Sequence, residues 1–247
     1  KVTVYVQNQT GPDTITVKLT KPTFDKNILV IDETIEEEFK GNASQYDDAY
    51  VDSMYSRWLN PTPHDTWDFN QRNGLPSREV IGQYKMILWH ADNWYGSSRD
   101  AHRIGYYTDL LSEYMNVGGD FIMSGWKILK SLRPETKYPT VFEDGTFERD
   151  YLHIKEADNS GVAIPGDFVG AHGVGEEFTD VSVDTTKTEG WFPNNGYLTD
   201  INTIPEAAGF TSNIYSYRCK NNCGNRDYVG QPIGLRYYGT SFNSVVL

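Results

Sequence analysis

Apolar and polar positions change their period along the chain, and the changes mark out elements. Val2, Val4 and Val6 alternate with polar residues, and the alternation resumes over 14–19 after Thr10-Gly11-Pro12-Asp13, which predicts an antiparallel strand pair. Lys21-Pro22 ends it. Ile28-Leu29-Val30-Ile31 is a continuous apolar run closing on Asp32-Glu33, the pattern of a strand covered on both faces in a parallel sheet. Residues 47–59 then set Ala49, Tyr50, Met54, Tyr55 and Trp58 at helical spacings, and a short strand is predicted over 66–69. After an amphipathic turn over 79–83, Tyr84-Lys85-Met86-Ile87-Leu88-Trp89-His90 reads as a second buried strand followed by the loop 91–96. A helix is predicted over 100–117, with Ile104, Tyr107, Leu110, Leu111, Tyr114 and Met115 on one face and Gly118-Gly119 as its stop. Residues 120–126 form the next strand, turning at Ser124-Gly125 into 127–132. Strand, helix, strand, helix, strand in this order predicts parallel crossover units and an open α/β sheet. From Pro134 the helical period disappears, leaving short strands such as 162–164 and 214–217 and a closing hairpin over 233–238 and 241–247.

With 247 residues, 38% hydrophobic and 23% charged, the chain is long enough for one large domain or two small ones. Lys plus Arg number 22 against 34 Asp plus Glu, a formal charge of -12 that repels phosphate backbones and excludes nucleic acid as a partner. Apolar runs stop at four residues, far short of the roughly 20 that a spanning helix needs, so membrane insertion is not expected. The chain begins without Met, basic start or apolar leader and reads as a mature or excised fragment. Aromatic residues make up 14%, and the polar remainder is rich in Asn, Thr, Ser and Gly, a mix that points to a secreted or cell-surface protein. Cys219 and Cys223 are separated by three residues, a spacing that suits a local disulfide. Free thiols or a metal are the alternatives, and a zinc site lacks ligands, His172 being the nearest His along the chain.

Taken together, Ile28-Leu29-Val30-Ile31-Asp32-Glu33, Tyr84-Lys85-Met86-Ile87-Leu88-Trp89, the segment 110–114 and Gly118-Gly119-Asp120-Phe121-Ile122-Met123-Ser124-Gly125-Trp126 resemble the class I glutamine amidotransferase-like superfamily. The likeness covers about residues 27–132 and is to the members that are not amidotransferases. It implies a flavodoxin-like open parallel sheet with flanking helices, to which residues from about 133 onward add β-rich excursions and antiparallel strands at the sheet edge. It also implies a secreted multidomain bacterial parent. In that setting residues 1–21 resemble the tail of an immunoglobulin-like module and 22–247 form the α/β domain, with the neighbouring domains as partners. Catalytic members carry a Cys nucleophile at a glycine-flanked strand-to-helix elbow and a later His-x-Glu pair. Here Ser124 stands at the elbow, Ile122 and Trp126 stand where glycines would, and only His153 and His172 follow, neither in a His-x-Glu pair. The resemblance therefore implies a non-catalytic scaffold or a domain that binds a carbohydrate or a protein. The alternative is a hydrolase of an ester, amide or glycan.

Candidate chemistry gathers where parallel strands end, because open α/β sheets bind ligands at their carboxyl edge. Asp32, Glu33, Asp68, His90, Asp92, Asn93 and Ser124 are expected there, with Asp32 and Glu33 on opposite sides of the strand. Ser124 would be either a nucleophile or the cap of the following helix, and Asp92 would pair with Asp32 for acid–base work across about 5–10 Å. The competing reading is that these carboxylates cap loops and helix starts. Trp94 and Trp126 are the candidate platforms for a sugar ring, whereas Trp89 reads as core. His172 lies between Gly170 and Gly173, which would let a backbone approach a ligand closely, and it is a candidate catalytic residue. No cofactor is required. Calcium is the cation that Glu36-Glu37-Glu38, Asp47-Asp48, Glu143-Asp144 or Glu176-Glu177 would take, although none has EF-hand spacing.

Overall fold

The computed structural model describes residues 21–34, 47–91, 104–125, 128–133, 137–159, 168–184, 199–203, 209–219 and 229–247. The strand pair predicted before Lys21 and the run 162–164 lie outside them. Four strands occupy the first half: β1 (Lys26–Asp32), β2 (His64–Asp68), β3 (Tyr84–Ala91) and β4 (Asp120–Gly125). The second half adds β5 (Thr140–Val141), β6 (Ile154–Asn159), β7 (Phe168–Gly173), β8 (Val181–Ser182), β9 (Thr199–Thr203), β10 (Phe210–Cys219), β11 (Pro232–Tyr238) and β12 (Asn243–Val246). The helices are α1 (Asp48–Leu59), α2 (Arg78–Ile81), α3 (Thr108–Asn116), α4 (Leu129–Leu132) and α5 (Phe147–Asp150), with a 3-10 turn over Ile104–Tyr107.

The protein is α/β, and its main sheet is mixed. Nine strands run in the order β2-β1-β3-β4-β12-β11-β10-β7-β8, while β5, β6 and β9 make a separate antiparallel sheet. Neighbours from β2 to β12 are parallel, and those from β12 to β8 are antiparallel. The closing hairpin is present as β11 and β12. Its last strand differs from the expected antiparallel return in lying parallel to β4, with Val245 opposite Ile122. Asp120 holds that register, its Oδ1 accepting from the Asn243 backbone N–H at 2.8 Å and from its side-chain amide at 3.0 Å. The hairpin connection is too short for a parallel crossover, so β11 must run antiparallel and the sheet changes character at β12.

Strand alternation divides the core into two layers. Ile28, Val30 and Leu88 face Val51 and Tyr55 of α1, whereas Leu29, Ile31, Ile87, Trp89, Phe121 and Met123 share the larger cluster with Ile81, Leu111 and Met115 from α2 and α3. Apolar cover on both faces is why β1, β3 and β4 read as unbroken apolar runs. α1 starts where Asp47 accepts from the Tyr50 N–H at 2.9 Å, an N-cap that satisfies one of the open amides of the first turn. The helix predicted over 100–117 is divided: the 3-10 turn precedes α3, and 100–103 are outside the described residues. Gly105 lets the 3-10 turn pack closely on α4, since a side chain there would collide with the Leu132 carbonyl. Gly118 ends α3 at φ 107, a left-handed conformation that glycine adopts without a Cβ penalty.

Candidate functional site

Register partners in a parallel sheet point to the same side. Asp32 of β1 stands opposite Asp68 of β2 and His90 of β3, and His90 stands opposite Ser124 of β4. Four polar side chains therefore form one row, Asp68, Asp32, His90 and Ser124, across the carboxyl ends of four parallel strands. The row lies on the face that α1 covers.

α1 completes the site with residues spaced to share its inner face. Asp48, Asp52 and Tyr55 recur at four and three residues, in phase with the buried Val51. The Tyr55 ring stacks on His90 with centroids 4.0 Å apart at 15°, and its hydroxyl donates to Ser124 Oγ at 3.4 Å. Two overlapping sets follow, Asp32 with Asp52 and His90, and Asp32 with Asp48 and Asp68. Within each set the ligand-type atoms lie within 4.8 Å of one another.

Asp32 is the hub of these sets and is only 1% exposed. Its Oδ1 accepts from the Thr34 backbone N–H at 2.9 Å and lies 3.5 Å from His90 Nε2. Its Oδ2 is buried without a hydrogen-bond partner among the described residues. His90 Nδ1 is 3.3 Å from the Thr34 hydroxyl, a contact that orients the imidazole. Burial pushes the Asp32 carboxyl up to about 6; His90 and the Thr34 N–H pull it down, and Asp52 adds to the rise. Asp48 is pushed up to about 7 by burial and then by the charges of Asp32, Asp52 and Asp68. Crowded carboxylates at a half-closed site hold unfavourable charge energy that a bound cation or a proton would release.

Glu33 points to the other layer, where its Oε2 accepts from Trp89 Nε1 at 2.8 Å. The chain beyond β1 is pinned in place: the Asn70 amide donates to the carbonyls of Glu33 and Thr34 at 3.0 and 2.9 Å, and the Glu33 N–H donates to the His90 carbonyl at 3.0 Å. These bonds fix the direction in which Asp32 faces.

Ser124 does not cap α4, whose N-cap position is Ile128, and residues 126–127 after the strand lie outside the described residues. Ser124 lies inside β4, and the next helix, α4, begins only at Leu129 with no side-chain cap bond. Gly125 after it has φ 143 and no room for a side chain against the Ala91 carbonyl, so β3 and β4 stay in close contact at the row. His172 does not join the row either. It stands on β7, four strands from β4 or about 19 Å at ordinary strand spacing, and its Nδ1 is 2.7 Å from Asp180 Oδ1. The glycines beside it serve strand packing, because side chains at Gly170 and Gly173 would collide with the Val181 and Phe178 carbonyls.

Asp92, Asn93, Trp94 and Trp126 lie outside the described residues, as does Cys223; Cys219 ends β10. Of the acidic runs, Asp48 joins the cluster. Asp144 is paired with Arg149 at 2.9 Å and Glu177 with Arg236 at 2.6 Å, while 36–38 are outside the described residues. Sequence reasoning named Asp48 only within the Asp47-Asp48 run and missed Asp52, and their phase with Val51 and Tyr55 was the available signal. Among the described residues no helix is long and apolar enough to cross a membrane. The chain matches no protein-family model, and no curated protein matches it.

Proposed function

We propose that the chain is a non-catalytic ligand-binding module of the amidotransferase-like type, working in a secreted bacterial protein and engaging a carbohydrate or a protein at the crevice above the polar row. The observation that carries this reading is the environment of Ser124. A nucleophilic serine must pass its proton to a base within hydrogen-bond reach. Here Ser124 Oγ accepts from Tyr55, while the neighbouring imidazole of His90 is stacked beneath that tyrosine and directed at Thr34 and Asp32. Asp32, at 1% exposure, is closed to a substrate, which weakens the alternative of ester, amide or glycan hydrolysis by Ser124 or by Asp32 with Asp92. A flavodoxin-like ancestry of the first half is supported by the order β2-β1-β3-β4-β12, the strand sequence of doubly wound sheets of that kind.

Wild-type protein and Ser124→Ala are both expected to stay at background on a panel of chromogenic esters, amides and glycosides. Turnover by wild type that falls about two or more decades in Ser124→Ala would replace this reading with the hydrolase.

The same reading includes a disulfide between Cys219 and Cys223 and an extracellular location. Cys219 is the last residue of β10 and still pairs with Phe168 of β7, so a short covalent loop to Cys223 would begin at the strand's end. Intact mass reads it: denatured, non-reduced protein is expected to take up no alkyl groups, and uptake of two removes the disulfide together with its support for the location.

A further inference from the structure

We propose that Asp32, Asp48 and Asp68 bind one divalent metal ion through carboxylate oxygens, a site for Ca2+, Mg2+ or Mn2+ roofed by α1. The inference goes beyond the ligand-binding reading and concerns the same row of strand ends. It stands on two independent observations. The first is geometric: one oxygen from each of the three carboxylates lies within 4.8 Å of the other two, although the residues come from β1, α1 and β2. An ion with ligands at about 2.0–2.6 Å sets neighbouring ligands roughly 3–3.7 Å apart and opposite ones roughly 4–5 Å apart, the span found here.

The second is the unpaired oxygen. Asp32 is 1% exposed and its Oδ2 is buried with no hydrogen-bond partner among the described residues, as is Asp48 Oδ1, and both residues belong to the cluster. A buried carboxylate oxygen without a donor is costly, and a cation beside it would remove that cost. The other Asp32 oxygen is occupied by the Thr34 N–H at 2.9 Å, so the carboxylate is oriented with Oδ2 left for the ion. Asp68 is oriented in a similar way, its Oδ1 accepting from the Gln71 N–H at 2.7 Å.

The donor set selects the ion. Three carboxylates are hard oxygen ligands, which favour calcium, magnesium and manganese over the softer metals that thiolates bind. Asp52 and His90 flank Asp32 on its other side, supplying further negative charge and a fixed orientation.

Calorimetric titration of the chelator-treated full chain with CaCl2, MgCl2 and MnCl2 in turn, with no organic ligand present, tests this. Failure to bind a cation is thereby separate from failure to bind a glycan or protein. One-to-one binding of at least one cation is expected, weakened at least about ten-fold in Asp48→Asn and in Asp68→Asn and unchanged in Glu143→Gln, an exposed acid elsewhere. Both test residues are only partly buried, so circular dichroism matching wild type is expected for each variant. Absence of saturable binding up to about 10 mM, above the range of weak calcium modules, overturns the proposal. So does affinity retained in both cluster variants or lost equally in Glu143→Gln.

Discussion

Trp89→Ala is expected to lower the unfolding free energy by about 3–5 kcal/mol, enough to leave much of a typical domain's stability spent. Trp89 is fully buried in the middle of the sheet, packed against Phe69 at a centroid distance of 5.6 Å. Truncation removes the largest side chain of the layer beneath α2 and α3 and leaves a cavity that β3, held between β1 and β4, cannot collapse to fill. Trp89→Phe separates packing from polarity. It keeps a ring in place but loses part of the indole volume and the N–H whose hydrogen bond Glu33 Oε2 accepts at 2.8 Å, and should cost about 1–3 kcal/mol, the range for removing one partner of a buried hydrogen bond. Urea unfolding followed by circular dichroism measures both. Equal stability of wild type and Trp89→Phe would mean that the indole–carboxylate bond contributes nothing.

Acid should destabilise the protein through His153, by about 3 kcal/mol at most between pH 6.5 and 4. His153 is buried with its ring 3.6 Å from that of Tyr237 and 6.2 Å from that of Phe242, and its Nε2 has no hydrogen-bond partner among the described residues. Burial lowers its pKa to about 4, against a weaker opposite pull from Asp150. The folded pKa lies below the unfolded one, so the unfolded chain binds the extra proton and stability falls as pH drops through this window, then levels off below it. Asp32 and Asp48 act with the opposite sign: their raised pKa values mean that protonation relieves the folded state between about pH 7 and 4. A comparison of pH 7 and pH 4 in wild type and in His153→Phe cancels that contribution, since the carboxylates are common to both. The acid-induced loss should be smaller in His153→Phe by about 3 kcal/mol; equal losses would show that His153 is not held neutral by burial.

Much of the α/β half is legible in the sequence, because strands buried on both faces must be apolar throughout and a helix covering them must repeat its apolar positions. Ile28 to Ile31, Met86 to Trp89 and the Tyr55 face of α1 carry those signals directly. The row was legible in part: Asp32, His90, Asp68 and Ser124 stand at strand ends, but only the strand order makes them neighbours. Asp48 was legible only as part of an acidic run and Asp52 not at all, since acids four apart on a helix read as a solvated face until the helix is seen to lie over Asp32. His172 lies away from the row. Its glycines signal close backbone approach, and the backbone that approaches is β8 and its preceding segment. Strand direction beyond β4 is set by connection length and by the Asp120–Asn243 contacts, neither of which has a periodic signature.

Anomalous diffraction from crystals soaked in MnCl2 examines the row under α1 most directly. One strong peak is expected within about 2.5 Å of Asp32 Oδ2, in contact with the Asp48 and Asp68 carboxylates. Peaks confined to the surface acids, such as Glu143-Asp144 or Glu176-Glu177, with none at Asp32, would contradict the assignment of this row as the functional centre.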